Sequence, residues 1–176
     1  MATIYIITSS IRKERIGDRV ADFATDQLQS VLGGHQLERV DLKDWPLPYV
    51  DGQMPSATSD NYQTDGANDW AEYISKANAF VFLTPEYNAS IPAQLKTNLD
   101  AIYDEWLDKK AVVISYSGSK AGGASAAQHL KDILERLKLE VVAPVSLNSW
   151  GTEYAQEQQY AADITAAGAK LDDLLR

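Results

Sequence analysis

The stretch AFVFLTPEYNASIP, residues 79–92, is the strongest indication of a parallel sheet in this sequence. Its first part, Ala79–Thr84, is apolar almost throughout, which is typical of a strand that is covered on both faces, as in a parallel sheet. Its second part is polar and contains two prolines, which marks the end of the strand and a stiff loop. Other strands are predicted at Ile4–Thr8, Ala111–Tyr116 and Glu140–Val145, with a weaker candidate at Leu37–Asp41.

Between these runs, apolar residues recur at helical spacing. The predicted stripes comprise Ile16 to Val31, Leu95 to Trp106 (with Pro92 in the first turn), Ala126 to Leu137 and Tyr160 to Leu174, and a short helix is predicted over Ala67–Ala77. Strands that alternate with helices predict an α/β fold. The arrangement that we expect for these elements is a doubly wound five-stranded parallel sheet in the order 2-1-3-4-5 with helices on both faces.

One segment, 42–65, interrupts this alternation. It holds three prolines and several aromatic residues, and a loop of this length inside a domain is either functional or mobile. We expect its first half to pack against the domain and Gln53–Asp65 to be loose. The alternative is that this segment is an ordinary surface loop with no special role.

Length and composition narrow the functional classes. The 176 residues suit a single domain, 1–176, and the formal net charge of −9 argues against binding to nucleic acid or anionic lipid. The chain has no cysteine and only two histidines, so neither thiolate chemistry nor a metal site is expected. It has no apolar run long enough for a signal peptide or a membrane span, and we therefore expect a cytoplasmic protein.

In a doubly wound sheet, ligands bind beyond the carboxyl ends of the strands where the strand order reverses, here between strands 1 and 3. Three segments should meet there: 8–17, 84–92 and 115–124. The first, TSSIRKERIG, combines hydroxyls with the cations Arg12, Lys13 and Arg15 at the start of a helix, a combination suited to a terminal phosphate. The alternative is a solvated helix start whose arginines pair with Glu14 and Asp18.

The other two segments suit a flat ligand. In TPEYNASIP the prolines stiffen the backbone while Tyr87 and Asn88 offer a ring and an amide side by side. In SYSGSKAGGASA the glycines let the backbone approach a ligand and present N–H groups to carbonyl oxygens. The signatures of nucleoside triphosphate and dinucleotide sites are absent from the first segment.

These residues resemble the NADPH-dependent FMN reductase family, whose fold is flavodoxin-like. The resemblance covers roughly residues 3–145. The matching positions are Ser9, Ser10, Ile11, Arg12, Arg15 and Gly17; Pro85, Glu86, Tyr87, Asn88, Ser90, Pro92, Leu95 and Lys96; and Ser115, Tyr116, Gly118, Gly122 and Gly123. Ser9 stands where the family has glycine, and Thr97 replaces a common asparagine.

The resemblance implies bound FMN. Ser10 and Arg12 would be the main ligands of its phosphate, with Arg15 helping and Ser9 offering its hydroxyl in the same turn. The segment Pro85, Glu86, Tyr87 and Asn88 would lie along the isoalloxazine ring. The backbone of Ser117, Gly118 and Gly122 would meet its pyrimidine edge.

The implied activity is an FMN-dependent NAD(P)H oxidoreductase. A hydride would pass from NADPH (or NADH) to flavin N5, followed by two-electron reduction of a quinone, azo compound, metal oxyanion or free flavin. The flavin carries the chemistry, so no catalytic side chain is expected, and the protein would be a homodimer or homotetramer. The alternatives are a flavodoxin-type electron carrier, whose phosphate loop would lack arginine, and a flavin-free scaffold that binds a protein partner.

Overall fold

A parallel sheet in the order β2-β1-β3-β4-β5 forms the centre of the computed structural model, which describes residues 1–58 and 61–176. Its strands are β1 (Thr3–Thr8), β2 (Gln36–Asp41), β3 (Ala79–Pro85), β4 (Lys110–Tyr116), β5 (Glu140–Val141) and β6 (Val145–Leu147). β6 pairs with β4 on the same side as β5. The predicted fold class and strand order are confirmed.

The prediction of one continuous strand over 140–145 is wrong. The ladder with β4 stops after the N–H of Val142 donates to the Ala111 carbonyl at 2.8 Å, and it resumes where Val145 pairs with Ile114. Pro144 lies in the gap. Because proline has no N–H to donate to a neighbouring strand, it divides the run into β5 and β6.

Helices cover both faces of the sheet, as predicted. They are α1 (Gly17–Leu32), α2 (Ala67–Ser75), α3 (Ala93–Asp100), α4 (Ala124–Arg136) and α5 (Glu157–Leu174). Successive strand residues alternate between the two faces: Ile4 and Ile6 pack with α1 and α5, whereas Tyr5 and Ile7 pack with α2, α3 and α4. No helix in the described part of the chain is long and apolar enough to cross a membrane.

The third helix is shorter than its apolar stripe predicted. It ends at Asp100, and Trp106 lies on a separate 3-10 turn, Asp104–Trp106. The N–H groups of Tyr103 and Asp104 donate to the hydroxyl of Tyr62, at 3.0 and 3.2 Å, instead of continuing the helix. The Leu99 carbonyl accepts the indole N–H of the fully buried Trp106. Tertiary partners therefore replace the next helical turn.

Within the 42–65 segment, the first half packs down as expected, with Trp45 stacked on Tyr73 and Leu47 buried. The expectation that Gln53–Asp65 is loose is wrong at Tyr62, whose side chain is 4% exposed and whose hydroxyl donates to the Glu105 carboxylate at 2.7 Å. Ser59 and Asp60 of that stretch lie outside the described residues.

Candidate functional site

The three polar segments converge at the carboxyl ends of β1, β3 and β4 around a cavity of about 270 Å³. Most of the residues predicted to bind the cofactor line this cavity: Ser10, Arg12, Arg15, Pro85, Glu86, Tyr87, Ser117 and Gly118. Ser9, Asn88 and Gly122 do not line it. Tyr116, Ile16 and Glu14 do, although sequence reasoning did not select them as binding residues.

The first and second segments meet through two hydroxyls. Ser10 is buried, and its Oγ lies 2.8 Å from the phenolic oxygen of Tyr87. The exposed Arg12 guanidinium lies over the Tyr87 ring, 5.6 Å from its centroid, at a distance typical of a cation–π contact. Among the described residues Arg12 has no carboxylate in salt-bridge range, so its charge is available to a ligand.

Arg15 forms ion pairs with carboxylates of the chain. Its guanidinium makes two hydrogen bonds to Asp41 at 2.5 and 2.7 Å and binds Asp18 as well, so the alternative of arginine pairing with Asp18 holds at this position. It also donates to the Ser10 carbonyl at 2.5 Å. Arg15 therefore fixes the first segment against the end of β2.

The ion pair shifts the pKa values of both partners. The hydrogen bonds to Asp41 raise the pKa of Arg15 above its ordinary value. Burial acts to raise the pKa of Asp41, but the hydrogen bonds from Arg15 and from the Lys43 N–H outweigh it and lower that pKa. Both groups are thus charged at neutral pH, and the pair is electrically balanced within the scaffold.

The three predicted residues outside the cavity have structural partners. Ser9 is fully buried, and its hydroxyl donates to the Leu83 carbonyl at 2.8 Å. Asn88, at φ 51°, is a central residue of the turn that joins Tyr87 to Ser90 by two mutual backbone hydrogen bonds. Gly122 packs so closely on the backbone of Asn148 that a Cβ would lie 2.7 Å from its nitrogen.

Glu86 connects the second segment to α4. Its carboxylate accepts the N–H groups of Ser125 and Ala126, at 3.1 and 3.3 Å, in the first turn of that helix. These N–H groups have no acceptor within the helix, and a negative charge at a helix N-terminus is favourable. Glu86 therefore holds two walls of the cavity together.

The third segment is positioned by the end of β6 and by the loop that follows it. The Ser117 N–H donates to the Leu147 carbonyl at 3.3 Å, and the Ser117 carbonyl accepts the Trp150 N–H at 2.9 Å. Gly118 next to it faces open space, since a Cβ built on it meets nothing within 4 Å. The backbone at this edge is thus fixed but accessible to a ligand.

Tyr116 is the main residue that the sequence did not reveal as part of the site. It is 2% exposed, and its hydroxyl has no hydrogen-bond partner in the described part of the chain. A Cβ on Gly17 would lie 2.6 Å from this hydroxyl oxygen. The available signal was the presence of both Gly17 and Tyr116 in the matched motifs, which said nothing of their contact.

The sheet order and the cavity at its switch point define a flavodoxin-like α/β protein with a crevice at the carboxyl ends of β1, β3 and β4. Residues 2–152 match the family model of the NADPH-dependent FMN reductases, and the chain belongs to that family. The resemblance noted from the motifs is thereby confirmed.

Two yeast proteins illustrate the relationship. The chain is 35% identical over 139 residues to an NAD(P)H-dependent FMN reductase of Schizosaccharomyces pombe, covering 78% of this chain and 68% of the relative. It is 29% identical over 151 residues to the NAD(P)H-dependent FMN reductase LOT6 of Saccharomyces cerevisiae, covering 81% of this chain and 78% of that one.

Solved structures agree on the fold. The flavoenzyme FerB, an NAD(P)H:(acceptor) oxidoreductase from Paracoccus denitrificans, superposes with a TM-score of 0.74 at 23% identity over 98% of both chains. An NAD(P)H:quinone oxidoreductase from Methanothermobacter marburgensis gives a TM-score of 0.72 at 20% identity, over 97% of this chain and 98% of that one. At these identities the likeness concerns the fold alone.

Proposed function

We propose that this protein is an FMN-dependent NAD(P)H oxidoreductase that reduces small-molecule acceptors, with quinones as the favoured class. The observation that carries the proposal is the convergence of three motif segments of one FMN reductase family on a single cavity at the switch point of the sheet. The relative in Arabidopsis thaliana, 29% identical over 130 residues, is an NADPH:quinone oxidoreductase, which supports the choice of quinone. Azo compounds, metal oxyanions and free flavin are the other candidate acceptors.

The donors in the cavity fit the phosphate of FMN. Ser10 and Arg12 would hold it directly, and they are supported by the start of α1, where backbone N–H groups lack helical acceptors. Arg15 would help by holding the Ser10 carbonyl rather than through its own charge, which Asp41 and Asp18 already balance.

The ring of FMN would lie toward the second and third segments. Pro85 to Asn88 form the stiff loop at one side, and the accessible backbone N–H of Gly118, which the hydrogen bonds of Ser117 hold in place, would donate to the carbonyl edge of the ring. Such donors stabilise negative charge that develops there. With FMN bound, the chemistry available is acceptance of a hydride from NAD(P)H and delivery of two electrons to the acceptor.

We further propose a homodimer or homotetramer working in the cytoplasm, with residues 1–176 as one domain. An apolar groove of about 440 Å³, lined among others by Met54, Leu99, Ile102 and Tyr103, offers a surface for self-association. Light scattering of the purified protein coupled to gel filtration measures the oligomeric state, and a monomer at micromolar concentration contradicts that part of the proposal.

The test of function is a visible spectrum of the purified protein reconstituted with FMN, recorded without oxygen before and after NADPH is added. We expect a flavin absorption band that bleaches on addition and returns when a quinone follows. A protein that retains FMN but leaves NADPH unoxidised is an electron carrier of the flavodoxin type. A protein that does not bind FMN is a scaffold, and either result contradicts the proposal.

A further inference from the structure

The buried hydroxyl of Tyr116 has no acceptor among the described residues, although its side chain is only 2% exposed. Burying a hydroxyl without a partner is unfavourable, and phenylalanine would fill the same space without that penalty. Tyr116 also lines the cavity at the switch point. An acceptor that comes from outside the chain would account for a tyrosine at this position.

The hydroxyl lies against the first residue of α1. A Cβ on Gly17 would approach it to 2.6 Å, so glycine at position 17 leaves room for the phenol oxygen at the helix start. α1 is 16 residues long, and in the part of the chain described here no side chain caps it at Ile16. Its first-turn N–H groups and its dipole therefore favour an anion next to the Tyr116 hydroxyl.

The neighbouring groups point to the same kind of ligand. Ser10 and Arg12, in the same cavity, supply a hydroxyl and a guanidinium that pairs with no carboxylate of the described residues. Of the two carboxylates in the lining, Glu86 accepts N–H groups of α4, and Glu14 is exposed to solvent. A cluster made mainly of donors suits a group that offers only acceptors and negative charge, which is the chemistry of a phosphate monoester.

We infer that Tyr116 is a specificity-determining residue whose hydroxyl donates a hydrogen bond to the phosphate of bound FMN and so favours FMN over riboflavin. This inference rests on the proposed function, since it assumes that the cavity holds the phosphate end of FMN. Burial, followed by the nearby Tyr87 hydroxyl, raises the pKa of Tyr116 above its ordinary value. The phenol therefore keeps the proton that it donates at neutral pH.

The experiment compares the full-length apoprotein with its Tyr116→Phe variant. Each is titrated with FMN and with riboflavin, and the dissociation constants are read from flavin fluorescence. We expect Tyr116→Phe to weaken FMN binding by about 10- to 100-fold, as for a hydrogen bond to a charged group, and riboflavin binding by less than about twofold. The unfolding temperature of the unliganded variant should not fall, because the hydroxyl has no internal partner to lose.

Tyr160→Phe is the matched control. Tyr160 is a buried tyrosine that packs on the same side of the sheet, and its hydroxyl donates to the Asn148 carbonyl. Removing that hydroxyl should lower the unfolding temperature and leave both flavin affinities unchanged.

The outcomes separate the inference from the proposed function. If Tyr116→Phe leaves FMN affinity unchanged, or weakens both flavins equally, the phosphate contact is wrong while the oxidoreductase proposal stands. An unliganded variant that unfolds at a lower temperature and still binds FMN normally would assign the hydroxyl to an internal hydrogen bond, which also overturns the inference. Wild-type protein that binds neither flavin contradicts the proposed function and the inference with it.

Discussion

The first and third segments of the cavity, 8–17 and 115–124, differ in what they present to a ligand: the first presents side chains and the third presents backbone. The first contributes side chains, the Ser10 hydroxyl and the Arg12 guanidinium, from a loop that leads into a helix. The third contributes backbone, held on both sides of Ser117 by hydrogen bonds to Leu147 and Trp150. Truncation of the exposed side chains of the first segment should therefore change ligand affinity, whereas substitutions that disturb the close-packed backbone of the third should change the stability of the fold.

The largest effect is expected for Gly122→Ala, in the third segment. Gly122 has a φ of +60°, and a Cβ there would lie 2.7 Å from the Asn148 nitrogen and 2.9 Å from its Cα. Strained backbone together with a clash against backbone atoms should lower the free energy of unfolding by about 2–4 kcal/mol. Urea denaturation followed by circular dichroism measures this.

Gly118→Ala is the control for that substitution. Gly118 belongs to the same segment, but a Cβ built on it meets nothing within 4 Å. Its effect on the free energy of unfolding should stay within about 0.5 kcal/mol. If the two substitutions lower the free energy of unfolding equally, the close contact of Gly122 with Asn148 is not what makes the third segment sensitive to substitution.

The next effect is expected for Arg12→Ala, in the first segment. Arg12 is exposed and has no carboxylate partner among the described residues, so its loss should leave the unfolding free energy nearly unchanged. It should weaken FMN binding by about 1.5–3 kcal/mol, or 10- to 150-fold, as for a charged hydrogen bond. Titration of the apoprotein with FMN checks this. Lys13→Ala removes the adjacent exposed cation as a control, and an equal loss there would indicate only a general effect of positive charge.

A smaller effect is expected for Asp41→Asn. Its partner Arg15 lies in the first segment, but Arg15 holds the scaffold together and is not free to bind a ligand. The folded state lowers the pKa of Asp41, so the carboxylate stabilises the fold above its unfolded pKa of about 3.9, and that contribution is lost as the pH falls further. At pH 7 the variant should be less stable by about 1–2 kcal/mol, and the difference should shrink below about pH 4.

Asp22→Asn is the control for the ion pair. Asp22 and Arg39 pair at 2.5 Å with 67% and 45% of their side chains exposed, and such surface pairs contribute little to stability. The change in unfolding free energy should be within about 0.5 kcal/mol at any pH. A pH-independent effect of Asp41→Asn would contradict the assignment of a stabilising Asp41 carboxylate.

Much of this arrangement could be predicted from the sequence, because it depends on local patterns. Apolar runs and helical stripes gave the strand order, and the polar segments after β1, β3 and β4 gave the place of the cavity. The contacts between distant residues could not be predicted. The pairing of Arg15 with Asp41 joins residues 26 positions apart, and the Tyr62 hydroxyl that ends α3 comes from a loop some 40 residues upstream. Such partners follow from tertiary packing, which residue spacing along the chain does not encode.

The smallest effect concerns Gly17, where the first segment meets Tyr116 of β4. Gly17→Ala should cost about 1 kcal/mol of unfolding free energy in the wild-type background, since the new Cβ would lie 2.6 Å from the Tyr116 hydroxyl. In the Tyr116→Phe background the nearest ring carbon is 3.5 Å away, an ordinary contact, and alanine favours the helix over glycine. The cost should then vanish or become a slight gain. A double-mutant cycle by urea denaturation measures this coupling, and additive effects would contradict the contact between the phenol and the helix start.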